Sequence, residues 1–154
     1  ISAIRETQRA LETSGTTARI VGEDPPAAQA DPHRVRQILR NLITNADKYG
    51  GQQVEIRFQF DDNTVRICVA DNGNPIPDAD RDRIFAPYTS AHSANGVVGS
   101  IGLGLFISRT LAELMGGSLS YEHDGKWGAF CLSLNRLHAS PAQATPIVGR
   151  ISAG

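Results

Sequence analysis

The chain has 154 residues, 40% of them hydrophobic, with 15 Lys and Arg against 16 Asp and Glu for a net charge of −1. That length suits one domain with its own core. The near-neutral balance, with no basic stripe carrying interleaved aromatics, excludes nucleic acid as an electrostatic partner, and no apolar run approaches the roughly 20 residues needed to cross a bilayer.

In chain order, Ile1 to Thr13 reads as a sparse amphipathic helix on Ile4, Ala10 and Leu11, ended by Ser14-Gly15. Residues 1–15 are therefore assigned to the end of a preceding element, residues 16–138 to the domain proper, and the Ala/Pro/Gly/Ser-rich residues 139–154 to a disordered tail. A chain that opens on Ile1 reads as part of a longer protein. Thr17 to Val21 is a short strand, and Glu23 to Ala30 a Pro/Ala linker. Asp31 caps the next helix and Pro32 fits its first turn. That helix runs to Lys48, where Gly50-Gly51 stops it.

Val54, Ile56, Phe58 and Phe60 alternate with polar residues, turn at Asp61-Asp62-Asn63, and resume as Val65, Ile67 and Val69. This is the pattern of an antiparallel hairpin. Asp78 to Ile84 reads as a short helix, Thr89 to Ser100 as a mobile loop, and Gly102 to Met115 as a helix closed by Gly116-Gly117. Leu119 to Glu122 and Phe130 to Leu134 form a second hairpin around His123-Asp124-Gly125. Two hairpins between helices predict an α+β two-layer sandwich with a mixed, mostly antiparallel sheet and helices on one face. Cys68 and Cys131 lie in strand-like runs and read as buried thiols of a reducing compartment rather than a disulfide. Neither has metal-ligand spacing.

Three stretches carry chemistry. At about 100° per residue, Asn41, Asn45 and Lys48 share one stripe of the long helix, beside the apolar arc of Val35, Ile38, Leu39, Leu42, Ile43 and Ala46. Such a row suits a hydrated Mg²⁺ and phosphates, or a solvated helix face. Asp71-Asn72-Gly73 ends a strand with a carboxylate able to accept a hydrogen bond from a ligand amine, or makes an ordinary turn. Gly99-Ser100-Ile101-Gly102-Leu103-Gly104-Leu105 enters a helix, where backbone N–H groups can meet phosphate oxygens. It matches neither a P-loop nor a dinucleotide fingerprint.

Taken in order with Ile84-Phe85-Ala86-Pro87-Tyr88, these stretches resemble the catalytic ATP-binding domain of bacterial sensor histidine kinases, within the GHKL ATPases. The resemblance covers Asp31 to Leu134. Asn41 to Tyr49 looks like the N box, Asp71-Asn72-Gly73 the G1 box, Arg83 to Tyr88 the F box and Ser100 to Leu105 the G2 box. The resemblance implies Asn41, Asn45 and Lys48 as catalytic residues, with Asn45 on Mg²⁺ and Lys48 on phosphate. It places Tyr49 beside the base, Asp71 on the adenine amine, and Gly73 where the base needs room. Gly102 and Gly104 would approach the phosphates, Phe85 would anchor the lid Thr89 to Ser100, and Ile76, Ser100, Leu103 and Leu105 would complete the nucleotide contacts. The implied cofactors are ATP and Mg²⁺.

The chain departs from the family's pattern at Pro75, where a second glycine is usual, at Thr89 and Ser90, where a basic residue often stands, and at Trp127, in place of a glycine. Trp127 reads as a packing residue. In hydrolytic cousins a glutamate occupies the position of Asn41. An amide cannot take a proton at neutral pH, so the resemblance implies phosphoryl transfer to a side chain rather than to water. None of His33, His92, His123 and His138 has an acidic neighbour after it on an apolar helix. The acceptor histidine is accordingly expected on an upstream dimerisation domain of the same, homodimeric protein, with a response regulator as the next partner. The domain is expected to be cytoplasmic, without membrane contact of its own, whether or not its parent is anchored in the inner membrane. Two other readings stand beside this one: a degenerate nucleotide-sensing or protein-interaction module, and an anti-sigma-type serine/threonine kinase.

Overall fold

A computed structural model describes residues 17–49, 51, 53–87 and 103–138. Strand β1 (Thr17–Val21) leads to helix α1 (Pro32–Tyr49), then the hairpin β2 (Gln53–Phe60) and β3 (Thr64–Asp71). Helix α2 (Gly104–Leu114) and the hairpin β4 (Ser118–His123) and β5 (Gly128–Asn135) follow. The five strands form one sheet in the order β1-β2-β3-β5-β4. Only β1 and β2 run parallel; the other neighbours are antiparallel. This is the α+β two-layer arrangement expected from the two hairpins.

The strands alternate as a sheet covered on one face must. Ile56, Val69, Phe130 and Tyr121 form one cross-strand row, and Phe58, Ile67, Leu132 and Leu119 the next. Both rows face the core with Ile38, Leu42 and Ile43 of α1 and Ala112 of α2. The opposite face carries Arg19, Glu55, Arg57, Arg66 and Glu122, joined by ion pairs Arg19–Glu55, Arg57–Glu55 and Arg66–Glu122.

α1 begins as its sequence dictates: Asp31 Oδ1 accepts the N–H of His33, and the Asp31 carbonyl accepts that of Val35. The hairpin turns are likewise held by aspartates. Asp61 Oδ1 accepts the N–H groups of Asn63 and Thr64, and Asp124 Oδ1 those of Lys126 and Trp127. Those backbone donors hold both carboxyls below the usual aspartate range.

Three expectations need correction. The stretch 23–30 is not a free linker. Ala28 and Ala30 are 0% and 1% exposed; Gln29 donates to the Asn135 carbonyl, Leu137 to that of Ala27, and Ala28 bridges Arg136. Small side chains let this strap lie close against the sheet's end. The segment after β3 is not one helix but two 3₁₀ turns, Asp78–Asp80 and Arg83–Phe85. Arg81 and Asp82 separate the two, each turn being the short piece in which this tighter helix type usually occurs. Cys68 and Cys131 are not free thiols but a disulfide. They stand directly opposite on β3 and β5, with Cα atoms 4.1 Å apart, a pairing that local alternation could not reveal.

Trp127 packs over this pair and over Ala70 and Ala129 on the outer face. The Arg57 guanidinium lies 5.1 Å from its ring. It is therefore a packing residue, on the face away from both helices. The expected helix at Ile1 to Thr13, the loop Thr89 to Ser100 and the tail 139–154 lie outside the described residues, as do Ser100 and Gly102 of the site.

Candidate nucleotide site

The helix row is built where α1 meets α2. Asn41 Nδ2 donates to Ser108 Oγ at 3.0 Å and to the Gly104 carbonyl at 3.4 Å. Ser108 is completely buried, so the amide serves a hydroxyl that water cannot reach. One side chain thus ties α1 to the first turn of α2. Asn45 follows one turn later, half-buried, and Lys48 is exposed in the last turn.

The far end of α1 meets the loop after β3. A Cβ on Gly51 would collide with Asn72 Oδ1 and the Gly73 nitrogen, so only glycine permits this approach. Asn72 Oδ1 accepts the N–H of Gln53 at 3.1 Å, and the Asn72 N–H donates to the Gln53 carbonyl at 3.3 Å. Asp71 closes the turn, its Oδ1 accepting the Gly73 N–H at 2.9 Å. The structure thus brings Gly51, two residues past α1, against the Asn72-Gly73 loop, and Asn41 of α1 against the Gly104 helix entry.

Among the described residues, none outside its own helix and chain neighbours comes within 4 Å of the place a Cβ on Gly104 would take. Leu103 and Leu105 are half-buried, and Leu105 packs against the core. Phe85 is a core residue, 8% exposed. Its ring meets Phe130 edge-on at 6.1 Å and lies 4.9 Å from the Arg109 guanidinium of α2. It fixes the segment before residue 88 rather than lining an open site. Tyr49 ends α1.

Sequence reasoning missed two residues here. Tyr121 Oη accepts the N–H of Ile76 at 3.1 Å, and Arg81 Nε donates to the Ile76 carbonyl at 3.1 Å. Tyr121 lies 45 residues from Ile76, so no local pattern could connect them. The only trace was a tyrosine on the inward-facing parity of its strand.

These elements occur together in known proteins. The family model for the histidine kinase-, DNA gyrase B- and HSP90-like ATPases matches residues 30–138. The chain belongs to this family. Within it, the chain is an ATP-binding catalytic domain of the sensor histidine kinase type. It is 34% identical over 133 residues to the sensor histidine kinase YcbM of Bacillus subtilis, covering 83% of this chain and 43% of that protein. The chain therefore spans less than half of that relative. The catalytic domain of the histidine kinase ThkA superposes with a TM-score of 0.73 at 26% identity, covering 88% of this chain and 92% of that one. Full-length ShkA in complex with AMPPNP superposes with a TM-score of 0.74 at 28% identity, covering 96% of this chain and 32% of that one. Among the described residues of this ATPase domain, no helix is long and apolar enough to cross a membrane.

Proposed function

We propose that the domain binds Mg-ATP and donates the γ-phosphoryl group to a histidine on a separate dimerisation domain of its parent protein. The observation that carries this reading is the convergence on α1: Asn41 reaches the Gly104 turn while Gly51 abuts the Asp71-Asn72-Gly73 loop. A base at the loop and phosphates at the helix entry would then share one helix as their floor.

The residues present fit the ligand. The Asn45 amide oxygen is a hard donor of the kind Mg²⁺ takes alongside phosphates and water. Lys48 can neutralise phosphate charge. Gly104 carries no side chain of its own, and among the described residues none outside its helix crowds it. Asp71 spends Oδ1 on its own turn and keeps the charge that would favour a hydrogen bond from the adenine amine. The metal, when bound, would offset charge on the phosphates. Phosphoryl transfer otherwise depends on positioning, which Asn41 supports by fixing α2 against α1. With an amide at that position, no carboxylate activates water, which favours a side-chain acceptor over hydrolysis. The parent would act as a homodimer in two-component signalling, with this domain in the cytoplasm and a response regulator downstream. The AMPPNP complex of ShkA supports the ligand class.

Titration calorimetry with Mg-ATP is the first test; no binding at millimolar nucleotide would overturn the reading. Mixing the domain with a phosphoacceptor helical hairpin is the second. An acid-labile product identifies phosphohistidine, whereas an acid-stable one would assign the chain to the serine/threonine kinases. Pro75 favours the degenerate-module reading on sequence alone, since it stiffens the loop and removes an N–H. The hydrogen bonds that Ile76 receives and makes weigh against it, because the loop is fixed without the missing glycine.

A further inference from the structure

Resting on the nucleotide reading, we propose that Tyr121 and Arg81 are positioning residues for adenine, acting together as a clamp on the loop 74–77. The loop reads Asn74-Pro75-Ile76-Pro77. Proline has no N–H, so Ile76 supplies the only backbone donor between Asn74 and Asp78. That donor goes to the Tyr121 hydroxyl at 3.1 Å, and the carbonyl of the same residue accepts from Arg81 Nε at 3.1 Å. Both backbone polar groups of Ile76 are held by side chains from outside the loop.

The two side chains also hold each other. The Arg81 guanidinium lies 5.3 Å from the Tyr121 ring centre, within cation–π range, and its Nη1 pairs with Asp78 at 2.9 Å. The Tyr121 ring packs on Phe130 at 5.0 Å, and Phe130 meets Phe85 at 6.1 Å. The phenol is thus anchored at its base in the core and delivers its hydroxyl to the loop.

Gly128 makes room for this delivery. It stands opposite Asp71 in the sheet register. A Cβ there would lie 2.5 Å from Tyr121 Oη and 3.2 Å from the ring carbon bearing it. The glycine beside the adenine-side aspartate therefore opens the space through which Tyr121 reaches Ile76. Ile76 packs against the main core, so its side chain and the loop's path are set by the same contact. A loop stiffened by two prolines has few ways to adjust, and the clamp selects among them by holding Ile76.

The test is Tyr121→Phe in the 154-residue chain, which keeps the ring and its packing while deleting the hydroxyl. Titration calorimetry would compare Mg-ATP, adenosine and Mg-tripolyphosphate. The expected result is a loss of affinity for ATP and adenosine of about two- to twelve-fold, the factor for one neutral hydrogen bond, with tripolyphosphate unaffected. Arg81→Met, which keeps the aliphatic stem but no donor, is expected to shift the same two ligands. Equal ATP affinity in wild type and Tyr121→Phe would overturn the clamp. So would an equal loss for tripolyphosphate, because a general loosening of the fold weakens every ligand. Wild-type protein that binds no Mg-ATP would instead overturn the nucleotide reading and take the clamp's role with it.

Discussion

Replacing Asn41 by alanine separates two roles that sequence alone cannot tell apart. Its amide donates to Ser108 Oγ at 3.0 Å and to the Gly104 carbonyl at 3.4 Å. The first is a good hydrogen bond to a fully buried hydroxyl; the second is long and contributes a fraction of that. A neutral hydrogen bond is worth about 1 kcal/mol net, and a buried group left without its partner costs about 1–3 kcal/mol. Ser108 can turn its hydroxyl within its own helix turn, which recovers part of the loss. The sum is about 1–2 kcal/mol, or a drop of about 4–8 °C in Tm for a domain of this size. Urea unfolding gives the energy from the midpoint at constant slope, and calorimetry with Mg-ATP on the same protein gives the effect on binding. Asn41→Asp adds a second reading, because a carboxylate of the same shape can accept the Ser108 hydroxyl proton but has none for the Gly104 carbonyl and repels it. Its stability should also fall. Unchanged stability in both variants would refute the claim that this amide fastens α2 to α1. A full loss of phosphoryl transfer at unchanged stability would assign Asn41 to direct contact with the bound nucleotide instead.

Asp71→Asn keeps an oxygen for the Gly73 N–H but loses the charge, so Mg-ATP affinity should fall by about 1–3 kcal/mol at little cost in Tm; unchanged affinity and unchanged preference over GTP would disprove the adenine role. Reducing the Cys68–Cys131 bond frees a loop whose ends are 63 residues apart, for which chain entropy gives roughly 4 kcal/mol and measured bonds typically about 2–4 kcal/mol. Urea midpoints with and without dithiothreitol measure this, and two titratable thiols in the unreduced, unfolded chain would rule the bond out. For Glu55, burial alone would raise the carboxyl, but hydrogen bonds and charge from Arg57 and Arg19 outweigh it and hold it below its ordinary value of 4.5. A depressed carboxyl contributes stability that is fully present above the ordinary value and is lost as pH falls below about 4.5 through the folded pKa. Glu55→Gln should therefore flatten the acid limb of the stability–pH curve, and an unaltered limb would count against the ion pairs.

The legible parts of the chain were those whose cause is local. Asp31-Pro32 opens α1 because capping is a matter of adjacent residues, and the aspartates of both hairpin turns act on backbone within three positions of themselves. The period of the strands revealed their faces, and the spacing of Asn41, Asn45 and Lys48 their common stripe. What escaped was long-range. Ala28 and Ala30 look like linker residues until Arg136 arrives beside them. Cys68 meets Cys131 only through the β3–β5 register. Tyr121 looked like any inward strand residue, and Arg81 like any surface charge. The motifs themselves were visible; the side chains that brace the loop and the helix entry, Tyr121, Arg81 and Ser108, were not.

The corrections and the site share one physical origin. A sheet covered on a single face must make its other face compatible with water. Here that is done by ion pairs at the margins and by a small apolar island of Cys68, Ala70, Ala129 and Cys131 under Trp127. The short side chains of that island leave room for the indole, and its position opposite both helices removes Trp127 from any contact with a nucleotide held over α1. The covered face has the reverse requirement. There large residues fill every row until the last, where Gly128 stands opposite Asp71. One missing side chain at the end of an otherwise filled sheet admits the Tyr121 hydroxyl, and through it the loop that carries Ile76. The proposed binding chemistry therefore begins where packing stops. The carboxylate, the proline-flanked loop and the glycine helix entry all sit at ends of elements. The loop and the helix entry are each steadied by a side chain with contacts in the core. Tyr121 is rooted against Phe130, and Asn41 reaches the buried hydroxyl of Ser108. In the proposed nucleotide site these anchors would brace the strand and helix ends that a phosphoryl group must be positioned against.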